Sequence, residues 1–345
     1  MKAVSGRSIG RALRLAMLAT VAAFAGAGAD AAPAGQGQHA TKIVLLGTKG
    51  GPTADPQRSE PASLLVVDGK PFLIDAGDGV ARQLAKAGYA PPAVRNVFIT
   101  HHHLDHTAGL EPFMALTWIG TGLQGKPRPQ VDIYGPPATH ALVGAALDYI
   151  SVSERIFRSG IPGLPTAPGM FVAHDIDHDG AAYHDDLVTV TAARNTHFQH
   201  PSSGPDGKRD MSFAYRFETP AGSVVFTGDT GPSDAVTALA KGADVLVSEV
   251  YVPRPGPLAG GSGPAQTQLG KQLAEHMALE HLSPDEVGKM AARAGVKTVI
   301  LTHIVGPNSP ELTQTIEDGV HKSFKGRVIV GTDLLEFELP GKKGS

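Results

Sequence analysis

The chain has 345 residues, 41% hydrophobic and 18% charged, enough apolar material for one large core or two small ones. A formal net charge of -3 leaves no basic footprint, so nucleic acid is not an expected partner and a small-molecule substrate fits better. The absence of cysteine excludes disulfides, thiolate metal ligands and cysteine nucleophiles together, so any metal must sit on nitrogen and oxygen.

Lys2, Arg7, Arg11 and Arg14 precede an apolar run from Leu15 to about Ala27, followed by Ala29-Asp30-Ala31. This is a secretory signal pattern, with residues 1–31 removed and 32–41 a linker, placing the mature chain in the periplasm or outside the cell. The run falls short of the ~20 residues needed to span a bilayer, so no stable membrane anchor is expected after cleavage. Ile43 to Leu46 reads as a buried strand entering the loop Gly47-Thr48-Lys49-Gly50-Gly51-Pro52. Leu64 to Val67 and Phe72 to Ile74, joined by Asp68-Gly69, read as a hairpin that leads to Asp75-Ala76-Gly77-Asp78-Gly79.

A helix is predicted from Val80 to Ala87, a short strand from Val97 to Thr100, and a helix near Leu110. Further on come a strand at Val131 to Tyr134, a helix near His140 to Ile150, and strands at Leu187 to Thr191, Phe213 to Phe217 and Val224 to Phe226. Helices at Ser233 to Leu239 and Pro284 to Ala294 alternate with strands at Val245 to Val247, Val299 to Leu301 and a final one at Arg327 to Val330. The order suggests two sheets sandwiched between helices, filling residues 42–340. Gly120 to Pro129, Gly160 to Gly169 and Pro253 to Gly263 read as long loops.

The chemistry concentrates in Thr100-His101-His102-His103-Leu104-Asp105-His106, directly after an apolar strand. Neutral imidazole and ionised carboxylate at this density suit a borderline cation such as zinc, with iron or manganese also compatible. Three further positions follow predicted strands in the same manner: His197 in Asn195-Thr196-His197-Phe198, Asp229 in Thr227-Gly228-Asp229-Thr230, and His303 after Val299 to Thr302. His200 competes with His197 for the same role.

The string His101-x-His103-x-Asp105-His106 resembles the signature of the metallo-β-lactamase superfamily, whose fold is a four-layer αββα sandwich. The resemblance implies two zinc ions, one held by His101, His103 and His197, the other by Asp105, His106 and His303, with Asp229 bridging. Asp75 resembles the family's first acidic motif, which orients the metal loop; simple turn formation is an equal reading. Two such cations share a water, lower its pKa and polarise the bond it attacks, so hydrolysis is the implied chemistry, with Asp105 aiming the water.

The opening Gly47 to Pro52 loop, Glu280-His281-Leu282-Ser283 and Ser248-Glu249-Val250-Tyr251 are similar to elements of the ribonuclease Z and arylsulfatase branches. That similarity implies a phosphodiesterase or arylsulfatase acting on phosphate or sulfate esters, with His281 as proton donor and Glu249 as its partner. Pro284 stands where that branch has threonine. Arg58 and Arg209 are isolated and are assigned no role. Lactone or β-lactam hydrolysis is the rival activity, and a zinc-carrying protein without catalysis the rival of another class. A homodimer is compatible with the sequence.

Overall fold

A strand buried on both faces must be apolar at consecutive positions, because its side chains alternate between two hydrophobic layers. Thr41–Gly47 (β1), Ala62–Val67 (β2) and Lys70–Ile74 (β3) have this pattern. In the computed structural model, which describes residues 39–124, 129–199, 202–204, 207–253 and 267–341, they form an antiparallel meander. The turn between β2 and β3 places Asp68 and Gly69 at φ 48° and 81°, a left-handed pair that suits a tight hairpin.

The chain continues through helix Val80–Lys86 (α1), strand Asn96–Phe98 (β4), the one-turn helix Leu104–Thr107 (α2), helix Leu110–Leu123 (α3), strand Val131–Gly135 (β5), helix Thr139–Gly160 (α4) and strand Phe171–Asp175 (β6). A second series follows: Gly180–His184 (β7), Thr189–Arg194 (β8), Phe213–Thr219 (β9), Gly222–Phe226 (β10), helix Asp234–Leu239 (α5) and Val245–Tyr251 (β11). Helices Gln268–Glu280 (α6) and Pro284–Ala294 (α7), strand Thr298–Val305 (β12), helix Pro310–His321 (α8) and strands Arg327–Val330 (β13) and Glu336–Glu338 (β14) complete it.

Among the described residues one seven-stranded sheet has the order β14-β1-β2-β3-β4-β5-β6, and the other β13-β12-β11-β10-β9-β8-β7. Three hydrophobic layers separate four structural ones. Val44, Leu64, Val97 and Ile133 pack outward from the first sheet with Phe113, Met114 and Trp118 of α3. Ile43, Leu65, Phe98, Phe217, Val224 and Val247 fill the space between the sheets. Val225, Leu246, Val299 and Leu301 face α5, α7 and α8. The fold is thus two mixed β-sheets flanked by helices, the αββα sandwich.

Each sheet joins an antiparallel half to a parallel half, with β3-β4-β5-β6 parallel in one and β10-β11-β12-β13 in the other. Loops leaving the carboxyl ends of parallel strands are where such sheets place their chemistry, and β4, β10, β11 and β12 all end at the same rim.

Several expectations need correction. The loop expected from Gly120 begins only after α3 has run on to Leu123, and α4 continues ten residues beyond Ile150 to Gly160. The second half of α4 hides its helical period, because Tyr149, Val152 and Ile156 are exposed. What holds it is tertiary: Glu154 accepts the Ala167 amide at 3.0 Å, and Phe157 meets the Trp118 ring edge-on. α2, β6, β7, α6, α8 and β14 are not among the elements expected from the sequence; β7 and β14 are edge strands with little apolar sequence. The predicted export segment 1–31, His200, and the predicted loop beyond Pro253 lie outside the described residues.

Candidate metal centre

β4 ends at Phe98 and delivers Thr100-His101 to the rim, where Asp75 fixes them. The Asp75 carboxylate accepts the Thr100 amide at 2.7 Å and the Thr100 hydroxyl at 3.0 Å, then accepts from His106 Nδ1 at 2.9 Å. Asp75 itself sits at φ 60°, so it makes the turn and orients the histidine loop at once. Gly77 lets the two segments meet: a Cβ there would lie 2.3 Å from the Asp105 carbonyl oxygen.

The remaining groups arrive from the second sheet. His197 follows β8 and donates Nδ1–H to the Glu280 carbonyl oxygen at 3.0 Å. Asp229 follows β10, where the next residue's amide, Thr230, donates to Glu249 Oε1 at 2.6 Å. His303 lies within β12 at φ 44°, a left-handed conformation rare for a side-chain-bearing residue. The loop after β1 reaches across to it: Ile304 donates to the Thr48 carbonyl at 2.7 Å, and Gly51 N–H donates to Asp105 Oδ2 at 2.9 Å.

The structure brings His101, His103, Asp105, His106, His197, Asp229 and His303 together. His101, His103 and His197 form one group whose ligand atoms lie within 4.8 Å of one another; Asp105, His106 and His303 form a second; Asp229 groups with His101 and His106. His197 Nε2 and His103 Nδ1 are 3.0 Å apart, and His303 Nε2 is 3.0 Å from Asp229 Oδ2 and 3.3 Å from Asp105 Oδ2. All but His103 are buried.

These residues fit a metal. His101 Nδ1 is taken by the Thr100 hydroxyl at 3.1 Å and His106 Nδ1 by Asp75, yet the Nε2 atoms of both, together with Asp229 Oδ1, are buried without a hydrogen-bond partner. Buried polar atoms left bare are costly unless something binds them. Outer partners that fix one ring nitrogen while the other points inward are the arrangement of metal-binding histidines.

The electrostatics divide the centre. Burial drives His101 well below its ordinary value, helped by His106 and His197, lowers His103, and takes His197 down to about 3. Burial also works against protonation of His106 and His303, but Asp229 and Asp75 outweigh it at His106, and Asp229 and Asp105 carry His303 up to about 10. Asp105 and Asp229 are correspondingly held below the carboxylate range, despite their burial, by His303 and His106. Burial thus disfavours positive charge around His101, His103 and His197, whereas the carboxylates favour it around Asp105, His106 and His303, the two conditions a cation shared by these groups would meet.

His281 and Glu249 join the rim of this cluster. His281 Nδ1 lies 2.7 Å from Glu249 Oε2 and 4.0 Å from Asp229 Oδ2. Burial lowers His281 and raises Glu249; the Glu249 carboxylate outweighs it at His281, whose net shift is upward. The departure at Pro284 has a local cause: Ser283 caps α7 in a capping box with Glu286, and proline is favoured at the first helical position. Arg58 is engaged elsewhere, donating to the Ile304 carbonyl at 3.2 Å, to Gly306 O and to Asp55.

Sequence reasoning overlooked His276. It stands on α6 with Nδ1 2.9 Å from Glu280 Oε2, and its ring lies 5.6 Å from His281 and 5.9 Å from His197. The i,i+4 pairing with Glu280 was readable, but without α6 it had no face to sit on.

Comparison with known proteins agrees with this geometry. Residues 70–304 match the beta-lactamase superfamily domain. The chain is 33% identical over 303 residues to the ribonuclease Z of Mycobacterium bovis (strain BCG / Pasteur 1173P2), covering 86% of this chain and 98% of that protein. Among solved structures, the metallo-beta-lactamase fold protein YhfI from Bacillus subtilis aligns with a TM-score of 0.61 at 20% identity, over 87% of this chain and 99% of that one. The short form of human tRNase Z aligns with a TM-score of 0.57 at 20% identity, with the same coverage. Relatives named for cutting RNA overturn the expectation, drawn from charge, that nucleic acid is not a partner. Net charge averages the whole surface and takes no account of cations bound at the site. The chain belongs to the beta-lactamase superfamily, as a ribonuclease Z-like, metal-dependent hydrolase acting on ester bonds.

Proposed function

We propose that this protein is a two-metal phosphodiesterase, with zinc as its resident cation and RNA among its substrates. The observation that carries the reading is the convergence of His101, His103 and His197 beside Asp105, His106 and His303, with Asp229 reaching both groups. The nitrogen and oxygen donor set suits zinc, and the ribonuclease Z relatives support a phosphodiester bond.

Divalent cations held by these residues would supply an activated water and polarise the ester oxygen under attack. The chain does the rest. Gly51 N–H holds Asp105 Oδ2, which leaves Oδ1 to accept a hydrogen bond from the attacking water and aim it. Glu249 fixes His281 through Nδ1, leaving Nε2 to donate a proton to the leaving oxygen. Residues 1–31 direct the chain to the periplasm or the exterior, which fractionation of the tagged full-length chain tests directly.

The deciding assay offers zinc-loaded protein bis(p-nitrophenyl) phosphate, a precursor transfer RNA, p-nitrophenyl sulfate and an acyl lactone. Chelator-sensitive cleavage of the phosphodiesters is the expected result; turnover of the sulfate or the lactone alone would overturn it. Asp105→Ala abolishes turnover while circular dichroism stays native, and full activity in that variant would remove Asp105 from the mechanism.

A further inference from the structure

Beside the metal centre, and open to it at His103, lies a cavity of about 740 Å³. Its apolar lining is Phe198, half-buried and 5.3 Å from the His103 ring, with Met211 and Leu279. Glu275, Asp210 and His276 share the lining with them. The Glu275 and Asp210 carboxylates accept hydrogen bonds.

This lining has a chemical meaning. Carboxylates repel phosphate oxygens, so the reacting group belongs on the metal side and the cavity takes an uncharged part of the ester. An aromatic side chain such as Phe198 stacks a planar ring, and carboxylate acceptors pair with ring amino groups, as they do with the N4 amine of cytosine. We infer that this cavity binds the nucleobase next to the scissile phosphodiester, stacking it on Phe198 and reading its amino edge with Glu275. The inference rests on the phosphodiesterase reading above and gives that site its substrate class.

The test is binding, which does not depend on turnover. Zinc-loaded protein is titrated by calorimetry with cytidine 5′-monophosphate, ribose 5-phosphate and phenyl phosphate, which share the phosphate and differ in the ring. Cytidine 5′-monophosphate binds at least about tenfold more tightly than ribose 5-phosphate, the scale of one stacked base. Phe198→Ala lowers that ratio, and Glu275→Gln, on the exposed face of α6, lowers the ratio of cytidine 5′-monophosphate to phenyl phosphate. Equal affinities for cytidine 5′-monophosphate and ribose 5-phosphate overturn the assignment, as does phenyl phosphate binding as tightly as the nucleotide. If the nucleotide preference holds but bis(p-nitrophenyl) phosphate is not cleaved, the phosphodiesterase reading fails and the pocket stands.

Discussion

The two halves of the metal centre are held by different means. The group of Asp105, His106 and His303 is fixed by charge and by strained backbone: the Asp75 carboxylate on His106, the Gly51 amide on Asp105, and φ 44° at His303. The group of His101, His103 and His197 is fixed by neutral contacts, the Thr100 hydroxyl on His101 and the Glu280 carbonyl on His197. The first half is braced by the loops after β1 and β3, whereas the second depends on α6 being docked. The half nearer the cavity is thus the one tied to the helix that lines it.

Substitutions can break or sharpen this contrast, with two zinc dissociation steps resolved by chelator competition. Asp229→Ala has the largest effect, because Asp229 faces both halves: both steps weaken, and turnover falls by more than the roughly 10–100-fold typical of outer-shell partners. Two unaltered dissociation steps would deny Asp229 its shared place.

Asp75→Asn comes next. It weakens the step held by Asp105, His106 and His303 by about 10–100-fold and the other by less, because Asp75 reaches His101 only through the Thr100 hydroxyl; equal weakening of both would erase the distinction between the halves. Gly231→Ala acts on the opposite half. A Cβ there would lie 2.1 Å from the Leu279 carbonyl oxygen, so the end of α6 must move, at a cost of about 1–3 kcal/mol in stability. The step less affected by Asp75→Asn is the one that weakens here; a change confined to the other step would show that α6 does not govern its half.

Ser283→Ala is the smallest. Losing the α7 capping box costs about 1 kcal/mol and lowers Tm by roughly 2 °C, read by thermal denaturation with both zinc steps unchanged. An altered zinc affinity would mean that α7 also braces the centre.

The sequence by itself determined the hydrophobic strands and the donor types. Continuous apolar runs such as Ile43 to Leu46 and Val245 to Val247 can be satisfied only by burial on both faces, and His101 to His106 concentrates too many ligands to pack without a cation. Both signals are local, carried by neighbours in the chain. Tertiary structure alone decided what depends on distant partners. Asp75 had two readings until His106 was seen on its carboxylate, the second half of α4 had no legible face until Glu154 met Ala167, and His276 had no role until α6 stood beside His197. Hydrogen bonds between residues tens to hundreds of positions apart leave no periodic trace, so only the folded chain shows which imidazoles converge, which lines the neighbouring cavity and which is held in place by another residue.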